Sequence, residues 1–102
     1  MPSSAPRPRS EPVKTLTAAS VPKLRIGVRL TFDHVRGTHV LLFPEGVLVP
    51  NATAVAVLEL CDGATSVDSI TAKLRRRYQG VRENDIVAVL ERFGRRRVIE
   101  WT

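Results

Sequence analysis

The chain has 102 residues, a single cysteine and a net charge of +6, which leaves room for one small domain and no internal disulfide. No stretch approaches the ~20 apolar residues of a membrane span. No apolar signal core follows the first basic residues, so the sequence reads as cytoplasmic.

Five of the seven prolines fall in residues 1–22, with Ser3, Ser4, Ser10 and Ser20 among them. Such a stretch buries too little apolar surface to offset its ordering entropy. Residues 1–22 are therefore expected to be a disordered basic tail whose removal leaves folding and binding nearly unchanged, and residues 23–102 the folded domain. A domain of that size buries only about 60% of its unfolded surface, so a deep catalytic cleft is not expected.

In Val28–Phe32, apolar Val28, Leu30 and Phe32 alternate with Arg29 and Thr31, the period of a half-buried strand. Arg36-Gly37 reads as a two-residue hairpin turn, which sets Val35 opposite Thr38, Phe32 opposite Leu41 and Leu30 opposite Phe43. The same register places His34 across from His39, a solvated pair rather than a metal site, because no cysteine lies near it and Asp33 is on the other face. Phe43-Pro44-Glu45-Gly46 is a turn leading into a third strand, Val47–Val49, which Pro50 ends.

Asn51 is the expected N-cap of a first helix running to about Cys61, with Val55, Leu58 and Cys61 at helical spacing and Gly63 as its C-cap. Cys61 is expected to be a core residue. Thr65 and Asp68 have capping-box spacing ahead of a second helix with Val67, Ile70, Leu74 and Tyr78 on one face, ended by Gly80. A third helix starts near Glu83–Asp85, where acidic residues suit the helix dipole, and buries Ile86, Val89, Leu90 and Phe93. Val98, Ile99 and Trp101 pack back as a terminal segment. Three short antiparallel strands followed by three helices make a winged-helix-like α+β domain.

That shape and the positive charge raise the alternative of a small winged-helix DNA-binding regulator, with Arg75–Arg77, Arg95–Arg97 and Arg36 as phosphate contacts. Residues 1–25, however, carry five basic residues against one acidic, so most of the excess charge lies outside the body. Helix three presents Glu83, Asp85 and Glu91 on its polar side, and consecutive arginines fan around a helix rather than forming one patch. No nucleophile–base pairing, glycine-rich phosphate loop or metal cluster is present, so neither an enzyme nor a cofactor is expected. A binding module remains.

The segment "RLTFDHVRGTHVLLFPEGVLVPNATAVAVLELCDGATSVDSITAKL", the helix "DIVAVLERF" and the ending "RVIEW" resemble the pyrroloquinoline quinone (PQQ) biosynthesis protein D family. The Pro-Glu-Gly turn, the Asn-Ala-Thr junction and the Leu-Glu-Leu-Cys-Asp-Gly run are the most specific parts. Gly94 inside helix three and Arg97, where a glycine would end that helix more easily, depart from the pattern. The resemblance implies the fold of a recognition element for ribosomally made, modified peptides. It also implies a non-catalytic chaperone that binds a short precursor peptide and presents it to a radical S-adenosylmethionine (SAM) enzyme, which cross-links a glutamate and a tyrosine. In that family the peptide adds as a strand beside the third strand, against the third helix. On this chain that implies Val47, Leu48 and Val49 with Val87, Leu90 and Glu91, in a monomer or weak homodimer. Pairing of the same edge with a second copy, as a dimerisation domain, is the competing binding role.

Overall fold

The computed structural model describes residues 15–102. In chain order the elements are β1 (Pro22–Leu24), β2 (Arg29–Asp33), β3 (Thr38–Phe43), β4 (Gly46–Leu48), α1 (Ala52–Leu58), α2 (Val67–Arg75), α3 (Glu83–Arg95) and β5 (Ile99–Trp101). Strands β2-β3-β4 form an antiparallel sheet in that order, and β1 pairs with β5 in a second, two-stranded sheet. The expected α+β class and the three-strand, three-helix order are observed; the β1–β5 pair is an addition to them.

The β2–β3 hairpin is tied by Asp33 and not by a two-residue turn. Asp33 Oδ1 accepts the amides of Val35 at 3.0 Å and Arg36 at 3.3 Å, and the Asp33 carbonyl accepts that of Gly37 at 2.8 Å. The four-residue loop His34–Gly37 closes with Gly37 at φ 70°, a left-handed conformation natural to glycine. Asp33 therefore faces Thr38, Phe32 faces His39 and Leu30 faces Leu41, a register two residues from the expected one. Because side chains alternate with period two, a two-residue shift keeps every residue on its expected face. Leu30, Leu41 and Leu48 line up across the three strands on the core side. His34 falls in the loop instead of opposite His39, and both rings make T-shaped contacts with Phe32, with centroids 5.0 and 5.2 Å apart.

Asn51 caps α1 as expected, its Oδ1 accepting the Ala54 amide at 2.8 Å. The helix stops at Leu58, short of Cys61, and tightens into three-residue turns, Val57 O to Leu60 N and Leu58 O to Cys61 N. Ala54, Val57 and Leu58 are its buried side, while Val55 is only half-buried. Gly63 is accordingly not a helix cap; its amide donates to the Pro22 carbonyl at 3.0 Å as β1 crosses the loop. Asp62 takes up the amides of Ala64 and Thr65 and the Thr65 hydroxyl, and the Ala64 amide foremost holds its carboxyl below the usual range. With Thr65 held there, the N-cap of α2 is Ser66, whose Oγ accepts the Ser69 amide at 3.2 Å, and the expected Thr65–Asp68 capping box does not form. Val67, Ile70 and Leu74 are buried, but α2 ends at Arg75, before Gly80, and Tyr78 lies beyond it, exposed.

Of the tail expected over residues 1–22, residues 1–14 lie outside the described residues, and the rest is built into the fold. The carbonyl of Ser20 accepts the Val67 amide and that of Ala18 the Asp68 amide, each at 2.9 Å. These are first-turn donors of α2, which have no partner within the helix. Pro22 then opens β1, with Pro22 opposite Trp101 and Leu24 opposite Ile99.

Helix α3 buries Ile86, Val89, Leu90 and Phe93, as its spacing implies. Its C-terminus is a Schellman motif: Val98 N donates to Phe93 O and Arg97 N to Gly94 O, both at 3.0 Å, with Arg97 at φ 62° in the position glycine favours. Gly94 sits under the Trp101 ring, where an added Cβ would lie 2.6 Å from Cζ3 and 2.8 Å from Cη2.

Three stability measurements follow from this. Deleting residues 1–22 removes the first residue of β1, Pro22, and two amide acceptors of α2, so it lowers the melting temperature; an unchanged melting temperature would return residues 17–22 to the tail. Gly94→Ala gains about 1 kcal/mol of helix propensity but forces Trp101 off its site, at a cost of about 1–3 kcal/mol. Urea denaturation should therefore show a net loss, relieved when Trp101→Leu is added. Arg97→Gly removes a left-handed arginine and should stabilise the domain by up to about 1 kcal/mol; a loss of stability would mean that the arginine side chain outweighs the strain.

Candidate functional site

Among the described residues, strand β4 is paired on one side only, with Leu48 opposite Leu41, Val47 opposite Leu42 and Gly46 opposite Phe43. Pro44-Glu45 is the tight turn that joins it to β3, so Phe43 and Gly46 form the first hydrogen-bonded pair and the ladder alternates from there. The amide and carbonyl of Leu48 therefore point inward to β3, whereas those of Val47 point to the open edge. The side chains divide the other way: Leu48 packs on the core, and Val47 and Val49 are 57% and 53% exposed.

Beyond the end of β4 lies a groove of about 270 Å³ between this strand, the entry to α1 and the C-terminal half of α3. Leu48, Val49, Pro50, Asn51 and Ala54 form one wall; Arg92, Phe93 and Arg96 form the other. Phe93 is buried, and the Arg92 guanidinium lies 5.7 Å from its ring centroid. Among the described residues, neither Arg92 nor Arg96 is ion-paired with a carboxylate.

The groove thus brings Leu48 and Val49 together with one flank of α3, but not with the three helix residues expected there. Leu90 is fully buried, Val87 is half-buried against the core and Glu91 is exposed. At about 100° per residue, Glu91 and Val87 project about 100° and 140° from Arg92, on the side away from Phe93. The buried stripe of a helix has two flanks, and periodicity does not say which one meets the sheet edge. The signal for Arg92 and Arg96 is their one-turn spacing on either side of Phe93.

Other candidate chemistry is scattered. Burial, and secondarily the Asp62 charge, push the Cys61 thiol from 9.0 up to about 12, and its Sγ donates to Val57 O, so it is a neutral core thiol at physiological pH. His39 Nε2 lies 3.8 Å from Glu59 Oε2, and no group of three or more metal-ligating side chains occurs among the described residues. The first arginine triplet diverges, Arg75 Nε donating to Val81 O at 3.0 Å and Arg77 lying over Tyr78. The second splits between the groove, through Arg96, and the turn, through Arg97. Among the described residues no helix is long and apolar enough to cross a membrane.

Residues 38–99, from the start of β3 to the first residue of β5, match the family model for coenzyme PQQ synthesis protein D (PqqD). The chain is 42% identical over 80 residues to the PqqA binding protein of Rhodopseudomonas palustris, covering 76% of this chain and 78% of that one. It is 45% identical over 74 residues to the PqqA binding protein of Pseudomonas aeruginosa PAO1, covering 71% and 80%. It is 41% identical over 87 residues to the bifunctional coenzyme PQQ synthesis protein C/D of Methylorubrum extorquens, matching 82% of this chain but 23% of that longer protein. Among solved structures, it is similar to the solution NMR structure of the PqqD truncation of Methylobacterium extorquens PqqCD, described as a functional, stand-alone recognition element for ribosomally synthesized and post-translationally modified peptides. The TM-score is 0.71 at 40% identity, with 84% of this chain and 95% of that one covered. With a family match across more than half of its length and relatives of this identity, the chain belongs to the PqqD family.

Proposed function

We propose that this protein is a non-catalytic peptide chaperone of PQQ synthesis. It binds the precursor peptide PqqA as an added strand on the open edge of β4 and presents it to a radical SAM enzyme that joins a glutamate to a tyrosine. The observation that carries this reading is the one-sided pairing of β4 beside a groove, in a chain whose relatives include PqqA binding proteins. Unpaired amides and carbonyls supply strand addition, and a groove next to them takes alternate side chains. The working parts are the backbone of Val47 and Val49, the Leu48 side chain and the α3 flank at Arg92, Phe93 and Arg96. We place the helix side of the site on that flank in preference to Val87, Leu90 and Glu91, a choice supported by the groove that opens there.

The alternation along β4 selects the test. Proline at 48 would break the ladder to β3, whereas proline at 47 removes only an outward donor. Val47→Pro is expected to fold and to weaken binding of synthetic PqqA by about tenfold or more, a loss of about 1.4 kcal/mol, in an isothermal titration. Val47→Ala should have a smaller effect. A folded Val47→Pro variant that binds like the parent protein would refute docking at this edge.

A further inference from the structure

We infer that the groove selects an acidic segment, with a carboxylate on the docked strand's helix-facing side held by Arg92 and Arg96. The inference rests on the docking reading above and adds the chemistry of what docks. Both guanidiniums line the groove, and neither has a carboxylate partner among the described residues, although the chain holds ion pairs elsewhere at Lys23, Arg25 and Arg36. Phe93 faces Arg92 at 5.7 Å, an attraction between cation and ring face that steadies the guanidinium while leaving its N–H edge to donate. Arginine presents two parallel donors that match a carboxylate's two oxygens.

Spacing supports a strand as the occupant. Arg92 and Arg96 are one helical turn apart, about 6 Å along the axis, and side chains on one face of a strand recur every ~6.8 Å. An extended segment running along the groove thus offers same-facing residues, two positions apart, at nearly the interval of the two arginines. Phe93, Leu48 and Ala54 give the same groove its apolar lining. The matching segment has an apolar side chain against that lining and an aspartate or glutamate two residues from it, on the same face. A neutral or basic extended segment would pair with β4 equally well through its backbone but would leave the two arginines unsatisfied.

The test titrates the full chain with synthetic PqqA and with an analogue in which every Asp and Glu is replaced by Asn and Gln. Arg92→Gln/Arg96→Gln should weaken PqqA binding about tenfold or more and leave the amide analogue, already weak on the parent, changed by less than about twofold. Arg92→Lys/Arg96→Lys keeps the charge and should restore most of the affinity. Lys73→Gln/Arg76→Gln removes equal charge elsewhere and should change binding by less than about twofold. Backbone amide shifts of residues 46–49 are followed in the same titrations. If those amides shift but PqqA binding ignores the Arg92 and Arg96 substitutions, or the amide analogue loses as much as PqqA, the acidic preference is wrong and the docking site stands. If PqqA binds without shifting them, both are overturned.

Discussion

Asn51 accepts the Ala54 amide at 2.8 Å one residue after Pro50, whose ring nitrogen has no proton to offer a sheet. Together they stop β4 after three residues and start α1 four residues later. The helix then carries Ala54, Val57 and Leu58 into the same core that Leu30, Leu41 and Leu48 reach from β2, β3 and β4. A longer β4 would extend over the space that Ala54 and Phe93 now border. A longer open edge would also be a template for unwanted pairing, which natural sheets limit by keeping edge strands short. The groove and the brevity of the strand have one cause.

The opposite wall depends on the C-terminus of α3. Arg92, Phe93 and Arg96 occupy its last turns, where helices ordinarily fray. Here the end is fastened twice, by the Schellman bonds that place Arg97 in a left-handed conformation and by Trp101 lying against Gly94. Trp101 is held by β5, which pairs with β1, and the residues just before β1 supply acceptors to the first turn of α2. Residues 18–24 and 97–101 thus brace the wall without entering the groove.

Faces were legible in the sequence; registers and caps were less so. Val28 and Leu30 and the stripe of Ile86, Val89, Leu90 and Phe93 are buried or half-buried as their periodicity implies, whereas Phe32, at the hairpin end beyond the core, is 42% exposed. The β2–β3 register slipped by two because that shift preserves every face, so hydrophobic matching could not detect it. It is set by Asp33 bonding to its own loop. Asp62 likewise moved the α2 cap from Thr65 to Ser66, again through a local side-chain bond that no pattern of apolar residues encodes. The strand Pro22–Leu24 was hidden because it contributes through carbonyls and a proline ring among residues whose composition reads as a tail. At the site, the β4 edge was legible from Pro44, Gly46 and Pro50. The α3 flank was not, because it follows from how the helix is rotated against the sheet.

Backbone pairing alone is too weak to define this groove's function. Counting from the tight turn, Val47 and Val49 present about four outward groups. At about 0.5–1.5 kcal/mol net per hydrogen bond, they yield about 2–6 kcal/mol. Ordering and immobilising a partner costs an estimated 4–15 kcal/mol. An arbitrary extended segment therefore gains little by lying along β4. What brings a particular segment above that threshold is apolar contact with Leu48, Ala54 and Phe93, and the charge-assisted hydrogen bonds that Arg92 and Arg96 have to give. In the docking proposed above, main chain sets the direction and register of the docked strand, while α3 decides which strand it is. Selectivity of the kind proposed here needs no catalytic group, because it lies in side chains that matter only once the edge of β4 is occupied.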